Sequence, residues 1–120
     1  MKLIEIYYEN KKKYSEYTLI FKVGKFYTVY QEDCLILNLL TGYKINDFNN
    51  QKKLGFPVHI LEKILNKLDE KKINYLILEK KEIEYNIVLK KKYRPNNYRK
   101  YTDQSDITQK IDIEINNLRT

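Results

Sequence analysis

The sequence predicts an α/β (α+β) fold in which a single domain contains a mixed β-sheet flanked by helices. Two observations predict this class. The 120 residues, 42% of them hydrophobic, suit one compact domain and leave little room for a second. Along the chain, aromatic and β-branched runs typical of strands alternate with segments whose apolar residues have helical spacing.

These patterns place the core of the domain over about residues 3–90. The predicted elements, in chain order, are a helix over 3–17, strands over 19–23 and 26–30, a helix over 31–40, a strand end and mobile loop over 43–53, a helix beginning at Pro57, strands over 73–78 and 83–89, a basic loop over 90–102 and a terminal helix over about 103–119.

The first half of the chain carries clear start and stop signals. The first helix is amphipathic, although alternation at its beginning is also compatible with a strand. Gly24 interrupts two strand-like runs and predicts the turn between them. Glu32 and Asp33 suit the positive end of a helix dipole, and Gly42 is typical of a helix end, so a second helix is expected between them.

The second half is punctuated by polar segments. The Asn-rich segment 43–53 has no apolar period and is interpreted as a loop. Pro57 is typical of a helix start, and the apolar residues that follow have spacings of one, four, five and eight from Ile60. Charged residues 79–82 separate two apolar runs, which predicts a strand pair. Isoleucines at intervals of four predict the terminal helix.

Charge favours a polyanionic partner. Lys and Arg exceed Asp and Glu by 23 to 16, giving a formal net charge of +7. Six basic residues are interleaved with three tyrosines after residue 89, and this segment could hold phosphates or could equally be a solvated linker. The basic candidates for DNA contact in this segment are Lys90, Lys91, Lys92, Arg94, Arg99 and Lys100.

Several classes of site are disfavoured. Cys34 is the only cysteine and His59 the only histidine, so a disulfide, a zinc cluster and a multi-histidine metal site are not expected, and no cofactor is predicted.

No apolar run approaches the roughly 18 residues of a membrane span, and no targeting segment precedes the first helix. A soluble protein in the cytoplasm is the expectation.

Two motifs carry the functional argument. The stretch 23–33, which contains Gly24-Lys25-Phe26-Tyr27, resembles the G-D-F-Y-E-L-F stretch and following acidic helix start of MutS proteins. The stretch 55–59 resembles the G-I-P-x-H element of the same family. Over about residues 3–90 the chain therefore resembles the amino-terminal mismatch-recognition domain of the MutS family of DNA mismatch repair proteins, here as a stand-alone copy.

The resemblance implies a partner and a contact residue. In the family, the phenylalanine of F-x-E enters the minor groove and stacks on a mispaired base, and Phe26 matches it. The alternative is a phenylalanine that packs in the core. Lys25 replaces the family's usual aspartate, and this added cation favours phosphate binding. Thr28 replaces the family's glutamate, so the resemblance does not establish mismatch discrimination. The predicted partner is duplex DNA, matched, mismatched or distorted.

The chain is not expected to be an enzyme. It contains no G-x-x-x-x-G-K-[ST] loop, so no ATPase is expected in this polypeptide. One alternative is a protein-interaction adaptor or competitor at repair complexes, docking through the terminal helix. A weaker alternative is a metal-dependent nuclease built on Glu79 and Lys81, with Asp33 or Asp47 as the second carboxylate.

Overall fold

A computed structural model of the chain describes residues 1–103. The helices and strands, in chain order, are α1 Leu3–Lys13, β1 Thr18–Val23, β2 Phe26–Tyr30, α2 Glu32–Thr41, β3 Asn46–Phe48, β4 Gln51–Pro57, a short 3-10 helix Val58–Ile60, α3 Leu61–Glu70, β5 Tyr75–Lys81 and β6 Glu84–Lys91. Residues 98–103 are also helical. The predicted terminal helix otherwise lies outside the described residues.

The six strands form one mixed sheet in the order β3-β4-β2-β1-β5-β6. β1 is parallel to β5, and each of the other neighbouring pairs is antiparallel. The mixed sheet flanked by helices is the fold class that the sequence predicts, and the structure confirms it. Within residues 1–103, no helix is long and apolar enough to cross a membrane.

Apolar side chains cover both faces of the sheet. On one face, α2 and α3 contribute Ile36 and Ile64 to a cluster that contains Tyr27 and Val29 of β2. On the other face, Tyr7 of α1 packs with a second set of strand residues. That second set comprises Leu19, Phe21, Tyr30, Leu76 and Leu78. Because α1 covers only part of its face, the end of the sheet at Phe26 stays open.

Two predicted segments differ from the structure. The loop predicted over 43–53 is instead largely the hairpin of β3 and β4, whose turn residues Asn49 and Asn50 both have positive φ, 52° and 62°. Consecutive asparagines in this conformation are typical of a tight hairpin turn. The basic loop predicted over 90–102 is wrong at both ends, because β6 continues to Lys91 and residues 98–103 are helical.

The reactivity of the Cys34 thiol tests whether the core is packed as the structure shows. Its side chain is buried, its sulfur lies 3.4 Å from the Val29 carbonyl oxygen, and burial raises the pKa of the thiol to about 12. Because the thiolate is the nucleophile, we expect no reaction of the native protein with an aromatic disulfide reagent at about pH 8. In denaturant the same assay should count one thiol per chain, and equal labelling rates in both states would contradict this packing.

Candidate nucleic-acid interface

The hairpin of β1 and β2 presents Phe26 at an open end of the sheet. Gly24 has φ +60°, a conformation that costs glycine little, and it closes a turn in which Val23 pairs with Phe26. Phe26 is 53% exposed, whereas Tyr27 and Val29 are buried. Tyr27 and Val29 pack in one core cluster and Tyr30 packs in the other, which confirms the predicted alternation of β2 between two faces. Phe26 is not a core residue.

Thr28 lies at the floor of a depression beside Phe26. The cavity has a volume of about 330 Å³ and is lined by Val23, Phe26, Thr28, Asn46, Lys53 and Gly55. Thr28 pairs with Gly55 on β4 and is 3% exposed. Because Gly55 has no side chain, that wall is backbone. The hydroxyl of Thr28 is therefore recessed below the level of the Phe26 ring.

Two polar residues of this depression were missed by sequence interpretation. Asn46 and Lys53 are exposed, and they pair with each other across β3 and β4. They lay in the segment interpreted as a loop. The alternation of Lys53, Leu54, Gly55 and Phe56, in which Leu54 and Phe56 are buried, is the strand signal that could have located Lys53.

Lys25 is exposed in the turn itself. Its carbonyl oxygen accepts a hydrogen bond of 3.1 Å from the Val58 amide, which braces the turn against the chain that follows β4. Val23 and Val58 are 39% and 37% exposed. The tip of the sheet therefore combines an apolar surface centred on Phe26 with the lysine charge of Lys25 beside it.

The basic segment lies at the opposite end of the sheet from Phe26. Lys91 pairs with Tyr75, and Tyr75 pairs with Thr18 at the beginning of β1, whereas Phe26 pairs with Val23 at its end. Five residue steps along a strand span ~17 Å. The structure therefore brings Lys25 and Thr28 together with Phe26 but does not bring the predicted contacts of the basic segment into the same site.

The predicted basic residues also differ in their surroundings. Lys90 lies over the rings of Tyr14 and Tyr17, at 5.2 and 5.7 Å from their centroids. Arg99 lies 3.0 Å from a Glu32 carboxylate oxygen and 3.6 Å from one of Glu16, so its charge is shared with two acids. Both acids would compete with phosphate for Arg99. The exposed residues Lys91, Lys92, Arg94 and Lys100 complete the set.

Asp33 is the centre of a buried polar network. Its Oδ1 lies 2.8 Å from Lys11 Nζ and accepts a 2.6 Å hydrogen bond from the Tyr98 hydroxyl, while Oδ2 accepts one of 3.1 Å from the Leu19 amide. Burial raises the pKa of the Asp33 carboxyl, and Lys11 and Tyr98 act in the opposite direction. The network ties the helical residues 98–103 to α1, β1 and α2.

The sequence located Asp33 only as an acid at a helix start. Its burial could have been inferred from the four apolar residues that follow it. They predict that the first turn of α2 is buried, and Asp33 belongs to that turn. Its partners Lys11 and Tyr98 are 22 and 65 residues away along the chain. Local patterns carry no information about pairings at that range.

The carboxylates proposed for a nuclease do not form one site. Glu79 on β5 lies 3.3 Å from Lys22, and Asp33 is committed to the buried network. Asp47 is on β3, four strand spacings or ~19 Å across the sheet from β5. Among residues 1–103, no group of three or more His, Cys, Asp or Glu side chains could hold a metal ion.

The model of the protein family described as MutS domain I matches residues 1–107 of this chain. The chain belongs to the MutS domain I family. Over 72 residues it is 32% identical to the DNA mismatch repair protein MutS of Thermosipho melanesiensis. That match covers 60% of this chain and 9% of the relative, so the chain corresponds to a small part of it. The resemblance inferred from the two sequence motifs is thereby confirmed.

Proposed function

We propose that this chain is a mismatch-recognition-like module that binds duplex DNA and inserts Phe26 at a weakly stacked step. One observation carries the proposal: Phe26 is 53% exposed at the open tip of the sheet while the rest of β2 is buried. Together with the exposed Val23 and Val58, the Phe26 ring forms an apolar patch at the tip of the sheet, and exposed apolar patches mark interaction sites. Membership of the MutS domain I family supports DNA as the partner.

The physics of the contact is that of an apolar wedge. Inserting a ring between base steps costs a few kcal/mol of unstacking, and this cost is smallest where pairing is already defective. The neighbouring Val23 and Val58 extend the apolar surface, and Lys25 and Lys53 supply charge for the flanking phosphates. Binding would therefore be strongest at steps that are already easy to deform.

Base reading is expected to be weak in this chain. Thr28 is recessed and too short to reach a base edge above the depression, as the family's glutamate would. The exposed amide of Asn46 and the ammonium of Lys53 are the polar groups that face the opening, and both residue types are used by proteins that read the minor groove. We expect preference for distorted over intact duplex, with little discrimination among mismatch types.

The test compares matched and singly mismatched duplexes of equal length by fluorescence anisotropy over a range of salt concentrations. We expect tighter binding to the mismatched duplexes, and log K that falls with log salt by about 0.9 per phosphate contact. Equal affinities for several mismatches would support the expectation that the recessed Thr28 does not read the mispaired base. Salt-independent binding, or none at low ionic strength, would falsify DNA as the partner.

The adaptor alternative depends on the predicted helix over 103–119. Beyond Asp103 this helix lies outside the described residues, so no surface of residues 1–103 favours the adaptor. Recovery of a protein partner after nuclease treatment, by co-purification, would support the adaptor. That result would be independent of the DNA measurements, because it requires no nucleic acid.

A further inference from the structure

A second depression lies at the end of the sheet opposite Phe26. It has a volume of about 390 Å³ and is formed between the connection from α1 to β1 and the segment that follows β6. The residues of its lining that carry the argument are three cations and three tyrosines, namely Lys13, Lys92, Arg94, Tyr14, Tyr17 and Tyr93. We call it the basic-end depression.

The backbone that carries two of these cations is anchored. The Tyr93 amide donates a hydrogen bond of 2.6 Å to Asn74 Oδ1, and the Asn74 amide donates one of 3.1 Å to Asn96 Oδ1. The side-chain amide of Asn96 donates in turn to the Glu16 carbonyl oxygen at 3.1 Å. Residues 92–97 are therefore a fixed wall joined to the starts of β1 and β5, and not a freely solvated linker.

The three cations of the basic-end depression are not neutralised by acids of the described chain. No carboxylate within residues 1–103 lies at ion-pair distance from Lys13, Lys92 or Arg94. Glu16 is the acid in the lining, and its carboxylate lies 3.6 Å from Arg99. Like charges held around one concavity raise the local potential and attract a multivalent anion.

We propose that the basic-end depression binds single-stranded nucleic acid through its phosphates. Cations beside tyrosines are a combination that single-strand sites use. Here Lys90 already lies over the rings of Tyr14 and Tyr17, and Lys91 lies over that of Tyr93, so the contacts are to phosphates and not to stacked bases. A concave site also favours a flexible strand, because the convex backbone of a rigid duplex cannot follow its walls. The site lies ~17 Å from Phe26 along the strands, so it operates without the wedge.

The experiment measures binding of a fluorescently labelled oligothymidylate by anisotropy at several salt concentrations. The test variant is Lys13→Gln/Lys92→Gln/Arg94→Gln, and its control Lys44→Gln/Lys63→Gln/Lys67→Gln removes the same charge elsewhere. We expect the test variant to bind at least about tenfold more weakly. The slope of log K against log salt should become shallower by about 2, because three phosphate contacts of about 0.7 each are lost. The control should bind as the parent protein does.

Two results would overturn the proposal. One is an equal loss of affinity in the test and control variants, which would show net charge alone to be responsible. The other is displacement of the oligonucleotide by polyglutamate at equal charge concentration, which would identify an acidic polypeptide as the preferred ligand. If the Phe26 site failed to bind mismatched duplexes, the affinity for oligothymidylate and its salt slope would be unchanged. The proposal for the Phe26 site and that for the basic-end depression can therefore fail separately.

Discussion

Replacing Asp33 by alanine is expected to lower the free energy of unfolding by about 3–5 kcal/mol, the cost of breaking a buried ion pair by removing one partner. The Asp33 side chain is fully buried, and Lys11 is 12% exposed. Truncation leaves the Leu19 amide and the Tyr98 hydroxyl without their acceptor. The Lys11 ammonium loses its counter-charge, although it still donates to the Tyr17 carbonyl oxygen. Small domains have only about 5–15 kcal/mol of stability, so this loss is a large fraction of the total.

The measurement is denaturant unfolding followed by circular dichroism, with Asp47→Ala as the matched control. Asp47 is half exposed and lies 3.8 Å from Lys52, so its removal should change stability by at most about 0.5 kcal/mol. The double variant Asp33→Leu/Lys11→Met should cost less than the sum of its single changes, because it leaves no uncompensated charge. Equal midpoints for Asp33→Ala and Asp47→Ala would contradict the network.

The same network marks the limit of what the sequence predicts. Helix α3 and the β1–β2 hairpin were predicted correctly, because helical spacing and Gly24 are local signals. The burial of Tyr98 depends on Asp33, 65 residues away, and no local pattern contains it. Tyr98 was therefore placed in a basic loop, although its side chain is fully buried. Its neighbours Arg99 and Lys100 are exposed, which gives the segment its polar composition.

The edge strand β3 was missed for a different physical reason. All three of its residues are exposed. A strand that is solvated on both faces has no hydrophobic alternation, so periodicity cannot identify it. The Phe26 site was therefore only half predicted. The wedge residue came from a motif on β2, whereas Asn46 lies on β3, where periodicity gives no signal. Lys53 lies on β4, in the same segment that was interpreted as a loop, although the alternation of its neighbours is a strand signal.

The recessed position of Thr28 separates two properties that are combined in the family's F-x-E pair. An apolar wedge lowers the energy of a deformed step, whichever bases form it, whereas a side chain that bonds a base edge selects among bases. This chain keeps the exposed ring of Phe26 and has a 3% exposed Thr28 in place of the second group. The proposed binding preference therefore depends almost entirely on Phe26.

Replacing Phe26 by alanine is accordingly expected to weaken binding to a mismatched duplex by about 1–3 kcal/mol, or about 5- to 150-fold, as for loss of one aromatic stacking contact. Affinity for a matched duplex should fall less, because insertion there is opposed by intact stacking. Since Phe26 is half exposed, the free energy of unfolding should change by at most about 0.5 kcal/mol. Anisotropy titrations with both duplexes measure the difference.

Phe48→Ala is the matched control, because it removes the same ring from a position that is 77% exposed on β3. Phe48 pairs with Gln51, six residues or ~20 Å along β4 from the Pro57 that pairs with Phe26. Its removal lowers surface hydrophobicity by at least as much as Phe26→Ala does but leaves the tip of the sheet intact. If both variants lost affinity equally, the contact would be nonspecific adhesion of exposed rings; a loss confined to Phe26→Ala requires that the hairpin tip itself enters the duplex.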